Sequence, residues 1–139
     1  MTINLINSSI ISSIAAIGFS KSLRSDIYLK PGELSDLNRY FSINEFSKIY
    51  LDNLGIWNQL DKEKYIAYTS IDVYLKEKES INFHSDNPHS QNLGYIVYEG
   101  DLLDAVSKCI RKCKTIKYRD DRYSDSITDI NIHLSLIHI

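Results

Sequence analysis

Residues 130–136 constrain the fold more than any other stretch. Ile130, Ile132, Leu134 and Leu136 alternate with Asn131, His133 and Ser135. Side chains of a strand point alternately to its two faces, so this run predicts a half-buried β-strand and a sheet for it to join. Other runs add to that sheet. Ile71, Val73 and Leu75 alternate with Asp72 and Tyr74, residues 80–83 follow after a charged turn at 76–79, and residues 93–98 are β-branched and aromatic. Helical signals lie between them. Ser8 or Ser9 is placed to cap a helix that runs to Ile17 and stops near Gly18. Ser42 and Glu45 have capping-box spacing, which predicts a helix over 43–54 ended by Gly55, with Ile43, Phe46, Ile49, Tyr50 and Leu54 on its apolar face. Asp101 is expected to cap a third helix through about Lys114, with Leu102, Val106, Cys109 and Cys113 on one stripe. Pro31-Gly32 marks a turn, and 84–92 a polar loop. The pattern predicts an α+β fold: one domain over 1–139, with a mostly antiparallel sheet packed against two or three helices.

Composition fits that picture. A hydrophobic content of 43% over 139 residues supports a real core, about two-thirds of the unfolded surface being buried at this size. The apolar stretch 1–19 is interrupted by Asn4, Asn7, Ser8, Ser9, Ser12 and Ser13, and no basic segment precedes it. It therefore reads as a buried strand and a core helix, not as an export signal or a membrane span. The two cysteines, Cys109 and Cys113, lie four apart on a helical run and build no disulfide framework, so a reducing, cytoplasmic location is expected.

Charge is unevenly spread. Residues 26–104 carry 14 acidic against 7 basic side chains, a net of −7, whereas both ends of the chain are positive. An acidic middle suits a protein that meets a basic partner. Asp72, Tyr74, Glu77, Glu79, Tyr98, Glu99, Asp101 and Asp104 are the candidate contact residues, the tyrosines serving as aromatic anchors. Asp101 also suits a helix cap, and Asp104 complements a helix dipole.

The remaining constellations are poor in catalytic parts. His84, Asp86 and His89 share one polar loop, whereas a zinc site draws three or four ligands from fixed elements. Cys109 and Cys113 share a face with Leu102 and Val106, which favours burial as small hydrophobes. His133 and His138 fall on opposite faces of the last strand. The basic segment from Lys108 to Arg122, with Tyr118 and Tyr123, has the composition of a nucleic-acid groove, but Asp120, Asp121 and Asp125 dilute it. Phosphate-loop, nucleophile-elbow and dinucleotide fingerprints are absent. No metal, no cofactor and no catalysis are expected. The alternatives are a small hydrolase or nucleic-acid binder using His84 and His89 or the basic segment, and a structural adaptor.

The run Tyr40-Phe41-Ser42-Ile43-Asn44-Glu45-Phe46, followed by Tyr50-Leu51 and Leu54, resembles a pattern near the start of bacterial toxin-immunity proteins, including those of contact-dependent growth inhibition systems. Ala67-Tyr68-Thr69-Ser70 follows at the family's distance, and residues 71–75 and 80–83 match its paired strands. The resemblance implies a cytoplasmic protein that is no enzyme and binds one cognate basic toxin domain, commonly a nuclease, without touching nucleic acid or membrane.

Overall fold

The computed structural model describes residues 2–6, 9–23, 25–32, 38–75, 79–86, 88, 90–119 and 129–132, with the backbone alone at 75, 79, 129 and 131. In chain order the elements are β1 (Thr2–Leu5), α1 (Ile10–Ser22), β2 (Asp26–Leu29), β3 (Tyr40–Asn44), α2 (Glu45–Asn53), 3₁₀ turns at Trp57–Gln59 and Lys62–Lys64, β4 (Tyr65–Tyr68), β5 (Ser70–Leu75), β6 (Glu79–His84), β7 (Gly94–Tyr98), α3 (Glu99–Lys112), β8 (Ile116–Tyr118) and β9 (Asp129–Ile132). The class is α+β. Five of the described strands lie in antiparallel sheets and four in a parallel one. The chain divides into two compact units, Met1–Asp36 with Leu103–Ile139, and Leu37–Leu102. No helix among the described residues is long and apolar enough to cross a membrane.

The first unit is built on the parallel sheet, in the order β8-β2-β1-β9. Ile3 faces Ile27 and Ile130 across the two ladders of β1, and Ile27 faces Ile116. Ile3, Leu5, Ile27 and Leu29 are buried in it, with Ala16 and Ile17 of α1. Ser9 begins α1: its side-chain oxygen accepts the Ser12 N–H at 3.0 Å. The helix runs on through Gly18 to Ser22, past the expected stop. A helix ends at glycine when the glycine turns to positive φ, and among the described residues only Gly55 is a glycine with positive φ. The tail strand is present at 129–132, but it runs parallel to β1. Leu134, Leu136, His133 and His138 lie outside the described residues.

The second unit holds the β3-β7-β4 sheet and the β5-β6 hairpin, both antiparallel. Its helix α2 starts later than the expected 43–54. Ile43 belongs to β3, and Asn44 is the cap, accepting the Ser47 N–H at 2.8 Å. Asn caps as well as Ser, and Phe41 and Ile43 keep the strand going by facing Val97 and Tyr95. The stop falls as expected. Gly55, at φ 78°, donates to the Asp52 carbonyl at 2.8 Å, and Ile56 donates to Leu51 at 2.9 Å. These two bonds make a Schellman motif, and a Cβ at position 55 would be strained. Gly55→Ala is expected to cost about 1 kcal/mol, read as a lower urea midpoint at unchanged slope. The expected apolar face is buried only in part: Ile43, in β3, and Leu54 are buried, whereas Phe46, Ile49 and Tyr50 are exposed, and Leu51, off that face, is buried in their stead. Trp57 packs against Tyr65 and Tyr95, with ring centroids 4.9 and 5.3 Å away, and closes the core under the sheet.

Candidate partner-binding face

The outer face of the β3-β7-β4 sheet is assembled row by row from the register. Tyr40 lies beside Tyr98, Ser42 beside Ile96 and Ile66, and Asn44 beside Gly94 and Tyr68. Alternation sends Phe41, Ile43, Tyr65, Tyr95 and Val97 to the opposite, core side. Tyr40 and Ile66 are 70% and 72% exposed, and Ile96, Tyr98 and Tyr68 are partly so. The rings of Tyr40 and Tyr98 stand 5.4 Å apart. Two hydroxyls are anchored. Tyr98 donates to Asn38 Oδ1 at 2.9 Å, from an Asn38 held at φ 53°. The Tyr68 hydroxyl reaches across the central strand to Ser42 Oγ at 2.7 Å. That reach depends on Gly94, because a Cβ there would stand 2.5 Å from the Tyr68 hydroxyl and 2.7 Å from the Ile43 carbonyl oxygen. The result is a tyrosine-rich surface on which the Tyr68 and Tyr98 hydroxyls are hydrogen-bonded.

The other expected contact residues scatter. Asp72 and Tyr74 share the outward polar face of the β5-β6 hairpin, opposite Asn82 and Ser80, and Tyr74 is 75% exposed. The hairpin's second face carries Ile71, Val73, Ile81 and Phe83, all exposed. Glu79 pairs with Leu75 at the hairpin end, and Glu77 lies outside the described residues. Glu99 does not belong to any surface: it is 3% exposed. Arg39 grips it with Nη2 to Oε1 at 2.6 Å and Nε to Oε2 at 3.3 Å. That hydrogen bond pushes the Arg39 guanidinium pKa up. The Glu99 N–H also donates to the Arg39 carbonyl. Asp101 is in the first turn of α3 rather than at its cap, and pairs with Lys64 at 3.0 Å, a bond that raises the lysine's pKa. Asp104 pairs with Lys108 at 2.7 Å. Exposed pairs of this kind contribute little to stability, but they spend both charges locally. Of the eight expected residues, the structure thus leaves Asp72, Tyr74 and Asp104 exposed and Tyr98 and Asp101 part-exposed, with Asp101 and Asp104 each engaged by a lysine. It adds Tyr40 and Ile66, which sequence reasoning missed. Tyr40 lies just before the capping box and Ile66 outside any alternating run, so neither has a local signal.

His84 is exposed at the end of β6, and His89 lies outside the described residues. No group of three or more His, Cys, Asp or Glu among the described residues is placed to hold a metal. Cys109 is buried, and burial pushes its thiol pKa up against the pull of Lys112. Such a thiol is a poor nucleophile. In the basic segment, Lys117 bonds to Asp26 at 3.1 Å, and Lys117 and Arg119 lie 5.8 and 5.2 Å from the Tyr28 ring centroid. Arg122 and Tyr123 lie outside the described residues.

The parallel unit has a topology of its own. From β1 the sheet grows to β2 and β8 on one side and to β9 on the other, so its order reverses at β1. In open α/β sheets this is the nucleotide-binding arrangement, with ligands outside the carboxyl ends of the strands at the reversal. No family model matches the chain. No curated protein matches it either. Among solved structures, its fold is similar to that of a protein assigned as a FAD containing monooxygenase from Photorhabdus luminescens subsp. laumondii TTO1. The TM-score is 0.56 at 17% identity, over 85% of this chain and 30% of that one. The likeness is one of fold, and this chain spans less than a third of its neighbour's length.

Proposed function

We propose that this chain is a non-enzymatic binding protein that neutralises a cognate basic toxin domain in the cytoplasm, as an immunity protein does, and that it grips the toxin with the outer face of the β3-β7-β4 sheet. The observation that carries this is the exposure of Tyr40 and Ile66 beside the part-exposed Ile96 and Tyr98 on one face of the sheet. Large apolar and aromatic side chains exposed side by side are what a docking partner buries. Charge supports a basic partner, because residues 37–102 carry ten acidic against six basic side chains. Asp72, open on the hairpin, adds to a field that speeds encounter more than it tightens the complex.

A second reading is nucleotide binding on the parallel sheet. The strand order favours it, and so does the FAD named for the solved neighbour.

The test of the first is the affinity of the purified chain for a toxin domain encoded beside it. Tyr40→Ala with Ile66→Ala is expected to weaken binding by about 30-fold or more, as paired losses at an aromatic anchor do. The melting temperature should change little, because both residues are exposed. Asp72→Lys is expected to slow association and flatten its salt dependence. A double variant that binds and protects cells as well as the wild type would end this proposal.

A further inference from the structure

We infer that the apolar face of the β5-β6 hairpin packs against the same face of a second copy of this chain, about a two-fold axis. Every described side chain of the two strands is exposed, on both faces. Among the described residues, β5 and β6 pair only with each other. A two-stranded hairpin left alone in water is marginally stable, and it becomes secure when its apolar face packs against another layer. This hairpin has such a face. Ile71 lies opposite Phe83, and Val73 opposite Ile81, so alternation sets all four on one side as a two-by-two block. Each of the four is between 40% and 50% exposed. Single exposed apolar residues are ordinary, but a contiguous block of them marks a contact surface.

Charge decides which occupant the block takes. The opposite face of the hairpin holds Asp72 and Tyr74 with their neighbours Asn82 and Ser80, and Ser70 beside His84 at its open end. A basic partner is drawn to the face with the carboxylate. The block itself has no charged side chain. A basic protein gains nothing there from the field, and would have to bury its own charges against hydrocarbon. A second copy brings an identical uncharged block, so the two meet without burying a charge. A two-fold contact needs this kind of self-complementary patch, and homodimer contacts are the more apolar class. The turn end, where Glu79 pairs with Leu75, lies outside the block. An axis running across the strands sends the two turn ends to opposite sides of the contact, so their charges do not meet. Size sets the strength. Each of the four side chains is already about half covered, which puts the contact at the small end of interfaces and the dissociation constant at about 10–100 µM. The polar face with Asp72 stays open in such a dimer.

The deciding experiment is sedimentation equilibrium of the full chain alone, from about 5 to about 500 µM, a range that brackets the expected constant. The weight-average mass should rise from that of one chain toward that of two. Ile81→Thr with Phe83→Thr strips half of the block while keeping a residue type that strands favour, and should raise the dissociation constant about tenfold or more. Asn82→Lys, between the same two positions but on the other face, should leave the constant unchanged. A wild-type chain that stays monomeric at the top of the range overturns the inference. If the double variant then also binds a toxin domain more weakly than the wild type, the face belongs to the toxin. A dimer that survives the double variant intact overturns the inference too, because its contact lies elsewhere. Should the double variant fail to fold by circular dichroism, Val73→Lys, on the facing strand, sets like charges against each other across the axis and makes the same test. The mass measurement needs no toxin, so its outcome is independent of the proposed partner.

Discussion

Trp57→Ala is expected to remove about 3–5 kcal/mol of stability, the usual cost of deleting a buried tryptophan side chain. Trp57 is 5% exposed, and its ring meets both Tyr65 and Tyr95, which also meet each other at 5.8 Å. Removing it leaves a cavity and breaks two aromatic contacts, each worth about 0.5–1.5 kcal/mol beyond area burial. A domain of this size has about 5–15 kcal/mol in total, so the variant should sit near the edge of folding. The measurement is urea unfolding followed by circular dichroism, because Trp57 is the chain's single tryptophan and its fluorescence is lost with it. Trp57→Phe, which keeps most of the ring stack, should recover more than half of the loss. A Trp57→Ala cost below about 1 kcal/mol would mean the three rings are not a core.

Arg39→Ala is expected to be the most damaging charge substitution. Glu99 is buried, and in the wild type its carboxylate meets the guanidinium fork through both oxygens. Without that fork, a buried carboxylate loses its counter-charge, and the penalty of an uncompensated buried charge exceeds what the pair contributed. The expected signature is an ordering. Arg39→Ala should melt well below the wild type, and Arg39→Ala with Glu99→Leu should melt higher than Arg39→Ala alone. A double variant that melts no higher than the single would show that Arg39 acts through its packing over Phe41, 5.6 Å from the ring centroid, and not through charge.

The same pair shows where sequence reading stops. Glu99 looked like surface acidity because nothing near it in sequence neutralises it, and its partner is 60 residues away. Elements with local signatures were legible: β5 from alternation, β6 from the charged turn that precedes it, β7 from its β-branched run, α3 from its stripe, and the end of α2 from Gly55. The start of α2 was displaced because Ser42 and Asn44 cap equally well and only the pairing of Ile43 with Tyr95 chooses between them. The parallel sheet was hidden for a different reason. β2 and β8 are four and three residues long, too short for periodicity, and parallel pairing leaves no mark on neighbouring residues. The candidate face was half legible. Tyr98 followed from composition, but Tyr40 and Ile66 join it only through register.

The division of the first unit between two distant stretches of chain has a kinetic consequence. Asp26 and Lys117, joined by an ion pair at the edge of its sheet, are 91 residues apart, and Ser20 and Thr115 are 95 apart. Strands β1 and β2 leave the ribosome long before β8 and β9 exist, and each contact between them must wait for a long loop to close. The pairings of β3, β4 and β7 span shorter loops and can form while synthesis continues. During that interval β1 and β2 present bare parallel edges rich in isoleucine and leucine. The nascent chain is therefore most exposed to aggregation before β8 and β9 emerge.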